Sequence, residues 1–257
     1  MSFEAECALV DEVCPAVNFG ERRGVDGPDI LLLHYTGMES AEGALKWLCC
    51  EESGVSCHYF VFEDGRIIQL LPEHLRAHHA GVSYWHGDTD INSRSIGIEI
   101  ANAGHSVPEG EEIPEFPEVQ MEAVARLSRD IIARHKIMPH RVLAHSDVAP
   151  NRKTDPGEKF PWAWLAGQGI GHIVESAPLA SGRFFQEGDT GQPIEALQSM
   201  LALFGYYSPV SGVFDEKTRF AITAFQRHYR QEKVDGVADM STIDTLHRLI
   251  ASLPGEG

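Results

Sequence analysis

The chain is poor in the features that mark several large protein classes. Its 257 residues include only five cysteines, Cys7, Cys14, Cys49, Cys50 and Cys57. The odd count, the adjacent Cys49–Cys50 pair and the lack of any Cys-x-x-Cys spacing argue against a disulfide framework or a zinc knuckle, and fit reduced thiols in a reducing compartment. Basic charge is scarce. Lys and Arg number 21 against 38 Asp and Glu, a net charge of −17. Long-range repulsion therefore works against nucleic acid or an anionic membrane as the main partner, and a solvated acidic surface is the plain reading. No apolar run approaches the ~18 residues of a membrane-spanning helix. The acidic start Met-Ser-Phe-Glu-Ala-Glu-Cys lacks the basic residues and apolar core of a secretory signal. A cytoplasmic location is the expectation, with a periplasmic or exported protein as the alternative. His-Glu-x-x-His is also missing, so a catalytic metal would need dispersed ligands.

What the chain does have is concentrated in His145-Ser-Asp-Val-Ala-Pro-Asn-Arg-Lys-Thr-Asp155-Pro-Gly157. Pro150 and Pro156 break helix and strand patterns, while Asn151, Thr154 and Gly157 supply turn chemistry, so the stretch reads as a loop. It carries an imidazole, an ammonium and a carboxylate. A loop pinned by prolines and launched from a buried strand, Val142-Leu-Ala144, can hold such groups rigidly.

The flanking chain supplies the scaffold. Residues 30–33 form an apolar run ending in His34, a buried strand. Ser40 is placed to cap a helix over 41–51. Residues 55–62 and 67–71 flank Asp64-Gly65, which predicts a hairpin with a type I′ turn. Residues 72–90, with His74, His78, His79 and His86, read as a long surface loop that could line a cleft. In Ser95-Ile-Gly-Ile-Glu-Ile100 the isoleucines share one face. Gly97 and Glu99 share the other, either as a groove floor that something approaches closely or as solvated sheet surface. Pro117 suits the start of a helix to about His135, with Met121, Val124, Leu127 and Ile131 as its core stripe. Residues 167–188 are glycine-rich and weakly periodic, which places a domain boundary there. Beyond it, Gly212-Val-Phe-Asp-Glu-Lys-Thr218 recurs as Gly236-Val-Ala-Asp-Met-Ser-Thr242. Each copy precedes a helical pattern, and a leading helix spans 193–204, which predicts a small helical domain.

His34, His145 and Asp155 make a plausible Zn²⁺ set, since a catalytic zinc takes three protein ligands and keeps a position for water. Spacing alone leaves a hydrogen-bonded structural role open for each histidine. Taken together and in order, however, His34-Tyr-Thr, Val55-Ser-Cys-His-Tyr-Phe-Val61, Asp64-Gly65, Ser95-Ile-Gly-Ile-Glu99 and His145-Ser-Asp…Lys153-Thr-Asp155-Pro-Gly157 resemble the type 2 N-acetylmuramoyl-L-alanine amidases. These are zinc enzymes related to peptidoglycan recognition proteins. The resemblance covers about residues 28–166. It implies an α/β (α+β) fold, a mixed β-sheet flanked by helices, with His34, His145 and Asp155 as zinc ligands, Glu99 as catalytic glutamate and Lys153 as the lysine that stabilises the transition state. It also implies a muropeptide or peptidoglycan substrate. Ala77-His-His-Ala-Gly81 departs from the family's Ala-Trp-His-Ala-Gly, since His78 stands where an aromatic wall is usual. Cys57 stands where a small residue is usual, and His58 is expected to brace the site rather than bind metal.

The second part resembles the small all-α peptidoglycan-binding module, through Gly188-Asp-Thr-Gly191, Leu197-Gln198, Phe204-Gly-Tyr-Tyr207, the two repeats and Phe225-Gln226. The expected division is a catalytic domain over 1–175 and a helical binding domain over 183–257. Every expected catalytic residue precedes the linker, so residues 1–175 should act alone on soluble fragments. Two alternatives stand beside the amidase: a non-catalytic peptidoglycan recognition protein, and a zinc peptidase cutting elsewhere in the stem peptide. Oligomeric state is not legible.

Overall fold

The computed structural model describes residues 2–253; Met1 and residues 254–257, the tail of the expected helical domain, lie outside the described residues. Along the chain come β1 (Glu12–Val13), β2 (Phe19–Glu21), β3 (Ile30–Tyr35), α1 (Ala41–Cys49), β4 (Tyr59–Val61), β5 (Ile67–Gln69), β6 (Leu75–Ala77), α2 (Ile91–Arg94) and β7 (Ser95–Ile100). They are followed by α3 (Glu118–His135), β8 (Val142–Ala144), α4 (His145–Val148), α5 (Trp162–Gly167), β9 (Phe184–Phe185), α6 (Gln192–Phe204), α7 (Glu216–Tyr229), β10 (Ala238–Asp239) and α8 (Met240–Ala251). The main sheet has the order β1-β5-β4-β7-β3-β8. Only β4 and β5 run antiparallel, so this is the mixed sheet with flanking helices that the family resemblance implies.

Strand β3 shows why the sheet needs cover on both sides. Leu31 and Leu33 join Ile96, Ile98 and Ile100 in a core closed by Met121, Val124, Leu127 and Ile131 of α3. All four of these α3 residues are buried, as the helical stripe predicts. The other face carries Ile30 and Leu32, which pack with Leu143, Trp85 and Val148 against Leu197, Leu201, Phe204, Ile222, Phe225 and Leu249. The C-terminal helices thus cover the second face of the sheet and share its core. Removing the C-terminal helices would expose the Ile30 and Leu32 face of the sheet.

The helical unit is built twice on one plan. Gln198 donates to Val213 O (2.9 Å) and Thr218 Oγ1 (3.0 Å) and accepts from the Ser211 and Gly212 amides at 2.8 and 3.0 Å. Gln226 donates to Val237 O (2.9 Å) and Thr242 Oγ1 (3.1 Å) and accepts from the Asp235 and Gly236 amides at 3.0 and 2.9 Å. Asp215 and Asp239 cap α7 and α8 through the Thr218 and Thr242 amides. The repeated Gly-x-x-Asp-x-x-Thr is therefore a braced loop followed by an N-cap.

Three local expectations change. The β4–β5 hairpin forms, but the Gly65 amide donates to Phe62 O (3.0 Å), which puts Glu63 and Asp64 at the turn's centre. Neither has positive φ; only Gly65, at +86°, is left-handed, whereas a type I′ turn needs two such residues. Residues 72–90 are not a plain surface loop. They contain β6, paired with β2, and they bury His79, Ala80 and Trp85. The proline-pinned stretch opens with one helical turn, α4, closed by the Ala149 amide on His145 O at 3.0 Å.

Candidate active site

Three adjacent parallel strands deliver the site. In the β3–β7 register His34 lies opposite Glu99, and in the β3–β8 register Leu33 lies opposite Ala144, so His145 follows at the same level. All three residues emerge at the carboxyl ends of the strands, where open α/β sheets place their ligands. Asp155 returns on the proline-pinned loop, and its carbonyl is held by the Ser146 amide at 3.0 Å.

His34 Nδ1 and His145 Nδ1 face each other at 2.9 Å, and each lies 2.9–3.0 Å from Asp155 Oδ2. The outer nitrogens show which protons are present. His145 Nε2 donates to Ala80 O at 3.1 Å, so its Nδ1 carries a lone pair when the ring is neutral. Ser95 Oγ donates to Ile91 O at 2.7 Å, which leaves it to accept from His79 Nε2 at 3.2 Å. His79 Nδ1 then accepts from His34 Nε2 at 3.0 Å, and His34 Nδ1 also presents a lone pair. When both rings are neutral, two imidazole lone pairs and a carboxylate oxygen converge on one point. Among the described residues, His34, His145 and Asp155 form a buried group able to hold a metal ion. Burial, and then the neighbouring His145, pull the His34 pKa down to about 4, against the opposing pull of Asp155. Burial would raise the Asp155 carboxyl, but His145 and His34 outweigh it and hold it well below the usual range. A His34 imidazole with a lowered pKa, beside a carboxyl held in its ionised form, suits metal ligation, which needs unprotonated ligand atoms.

The surrounding residues fix this arrangement. A Cβ on Gly97 would lie 2.5 Å from His79 Nδ1, so the glycine on the floor of β7 is there for the His79 ring. His58 accepts from the Gly97 amide at 3.0 Å and lies 3.1 Å from Leu75 O, inside the sheet and outside the metal group. Burial and Arg22 lower its pKa to about 3. Cys57 donates to Tyr59 O at 3.2 Å, and burial raises its thiol well above the ordinary range.

Glu99 Oε2 is buried with no hydrogen-bond partner. Burial pushes its pKa well above the usual value and the Asp155 charge adds to this, while Lys153 opposes them. Glu99 and Lys153 line one cleft of about 490 Å³ with His79, His145 and Asp155. A larger cavity of about 690 Å³ lies between the linker and the second repeat, lined by Arg183, Phe184 and Lys233. The metal group borders the smaller cleft, so the chemistry belongs there. His78 and Trp47 form part of the cleft wall, and Trp47 is 49% exposed. Sequence reasoning passed over Trp47, whose only signal was an aromatic on the α1 surface. It also passed over Arg152, which donates through Nε to Val82 O at 2.9 Å and through Nη2 to Ala80 O, so pinning the carbonyl that orients His145. Arg152 sits beside Lys153 in the loop, and sequence position alone does not separate the two cations.

Residues 24–158 match the N-acetylmuramoyl-L-alanine amidase family, and residues 190–246 match a peptidoglycan binding domain family. The chain is 38% identical over 224 residues to N-acetylmuramoyl-L-alanine amidase AmiD of Escherichia coli, covering 83% of this chain and 79% of that protein. The chain belongs to the N-acetylmuramoyl-L-alanine amidase family. Among solved structures, this amidase resembles E. coli AmiD in complex with anhydro-N-acetylmuramic acid-L-Ala-D-gamma-Glu-L-Lys, with a TM-score of 0.73 at 34% identity over 91% of this chain and 97% of that one. It also resembles AmpDh3 of Pseudomonas aeruginosa in complex with anhydromuramic pentapeptide, with a TM-score of 0.74 at 29% identity over 94% and 96% of the two chains. The amidase fold and the peptidoglycan-related activity expected from the motifs are those of these relatives. Among the described residues, no helix is long and apolar enough to cross a membrane.

Proposed function

We propose that this amidase hydrolyses the lactyl-to-L-alanine amide of muropeptides with Zn²⁺ held by His34, His145 and Asp155, Glu99 as general base and Lys153 as oxyanion partner. The carrying observation is the convergence of three lone-pair donors beside a carboxyl oxygen that has no partner. The donor set suits zinc, which binds imidazole nitrogen and carboxylate oxygen and keeps one position open in catalytic sites. Bound there, zinc supplies Lewis acidity toward a carbonyl oxygen and toward water.

The chain's own residues supply the rest. Glu99 takes the proton of the attacking water and passes it to the departing L-alanine amine, so one water is consumed and both products leave with balanced protons. Burial raises the proton affinity of this carboxyl, which favours its holding the proton between the two transfers. Lys153 places positive charge at the cleft where the oxyanion develops. His79 and Ala80 O hold the two imidazoles in the tautomers that leave Nδ1 open.

The substrate class proposed is that seen with the two relatives, an anhydromuramoyl peptide. Mass spectrometry of the digest should show an intact peptide beginning at L-alanine, and elemental analysis should find about one zinc per chain. A protein without zinc whose turnover is indifferent to chelators sinks the metal assignment. A peptide cut internally sinks the amidase assignment in favour of a peptidase. The division into a catalytic unit over 1–175 and a peptidoglycan-binding unit over 183–257 belongs to the same proposal, as does a cytoplasmic location, which fractionation of expressing cells tests.

A further inference from the structure

The turn that carries His145 is held from outside its own domain. Asp147 is completely buried at the third position of α4, and its two oxygens have three partners. Oδ2 accepts from the Ala144 amide at 2.8 Å, which fixes the Leu143–Ala144 peptide at the entry to the turn. Oδ2 also accepts from His228 Nδ1 at 2.7 Å, and Oδ1 accepts from the Tyr206 hydroxyl at 2.6 Å. Both of these donors belong to the C-terminal helical unit. His228 is itself clamped, with its ring 3.7 Å from Trp162 and 3.8 Å from Tyr229, both stacked. The same turn presents the Ser146 amide to Asp155 O at 3.0 Å. One carboxyl thus anchors a single helical turn that bears one member of the metal group and grips the backbone of another.

We propose that Asp147 is a positioning residue through which the C-terminal helices hold His145 and Asp155 in register for the metal. The helical unit is then a working part of the catalytic centre as well as a wall-binding appendage. A four-residue helix has no cooperativity of its own and depends on such outside contacts to keep its geometry. Partners that orient metal ligands from behind typically contribute ~10–100-fold in metal affinity. The proposal rests on reading His145 and Asp155 as metal ligands.

The test uses the full chain. Zn²⁺ affinity is measured by competition with a chromogenic chelator for the wild type, Tyr206→Phe, Asp147→Asn and Gln226→Ala, with thermal denaturation of each metal-free form alongside. Tyr206→Phe keeps the ring and removes one donor, so it carries the test even where Asp147→Asn fails to fold. Gln226→Ala is the control, because it loosens a braced loop in the same helical unit without touching Asp147. The expected result is a ~10–100-fold weaker zinc affinity for Tyr206→Phe and Asp147→Asn, with kcat falling more than KM rises. Gln226→Ala should lower Tm at least as far and leave zinc affinity unchanged. Wild-type zinc affinity in folded Tyr206→Phe overturns the proposal. So does an equal loss in Gln226→Ala, which would make the effect one of general destabilisation. A wild type that takes up no zinc sinks the metal assignment itself, which is a distinguishable failure.

Discussion

The two glutamine-braced loops of the helical unit and the cluster at the strand ends both bury polar side chains, to opposite effect. In each loop the amide uses its donors and acceptors in full, and nothing can be added without losing a bond. In the cluster, lone pairs face one another across about 2.9 Å and Glu99 Oε2 has no partner. An unpaired buried polar group costs stability, so a fold keeps one where something else uses it. The loops are stabilising structure, and the cluster is a buried group able to hold a metal ion.

Four changes break or sharpen that contrast. The largest effect belongs to His145→Ala, which removes one of the converging lone pairs. Zinc should be lost along with turnover, read by elemental analysis and by muropeptide hydrolysis. Glu99→Gln comes next. It keeps the size of the side chain and lies away from the Ile96, Ile98 and Ile100 core, so folding and zinc content should survive while turnover falls ~10²–10⁴-fold. Near-wild-type turnover would remove Glu99 from the mechanism, and loss of zinc would make it part of the metal shell. Gln226→Ala attacks the satisfied region instead. It strands the Asp235 and Gly236 amides and the Val237 carbonyl, and should cost roughly 2–4 kcal/mol of stability in denaturant titration, since each stranded group costs about 1–3 kcal/mol before water re-enters.

The smallest effect concerns a third buried polar set. Glu73 is 3% exposed and accepts from Tyr59, His135 and Arg134. Burial would raise its carboxyl, but these partners outweigh burial and hold it down to about 2. A carboxyl depressed below its unfolded value contributes stability above the unfolded pKa of ~4.3 and loses it as pH falls toward about 2. Glu73→Gln should therefore flatten the stability profile between those limits. An unchanged acid limb would show that Glu73 does not set it.

Much of this arrangement was legible in the sequence, for identifiable reasons. The apolar run at 30–33, the alternation at 95–100 and the stripe of α3 are local periodicities, and local periodicity survives folding. The set His34, Glu99, His145 and Asp155 was legible only through the ordered motifs that resemble the family, because spacing alone left each histidine a structural role and Glu99 a place on solvated sheet. Contacts between distant segments were not. A continuous apolar run says that β3 is covered on both faces but does not say by what, and Trp85, the key to the second face, lies among histidines that look like surface. The β4–β5 turn was misread because Asp64-Gly65 suits two turn types, and only the Phe62–Gly65 hydrogen bond separates them.

The shared core of β3 and the C-terminal helices bears on the order of synthesis. Ile30 and Leu32 leave the ribosome early, yet their partners on that face include Phe225, Leu246 and Leu249 at the far end of the chain. Until those emerge, the central strand has one apolar face with no cover, and a nascent chain in that state is exposed to aggregation. A ribosome stalled at residue 175 should therefore hold a chain that is captured by a chaperone or digested by protease. Release of the complete chain should bring protection to both halves in one step.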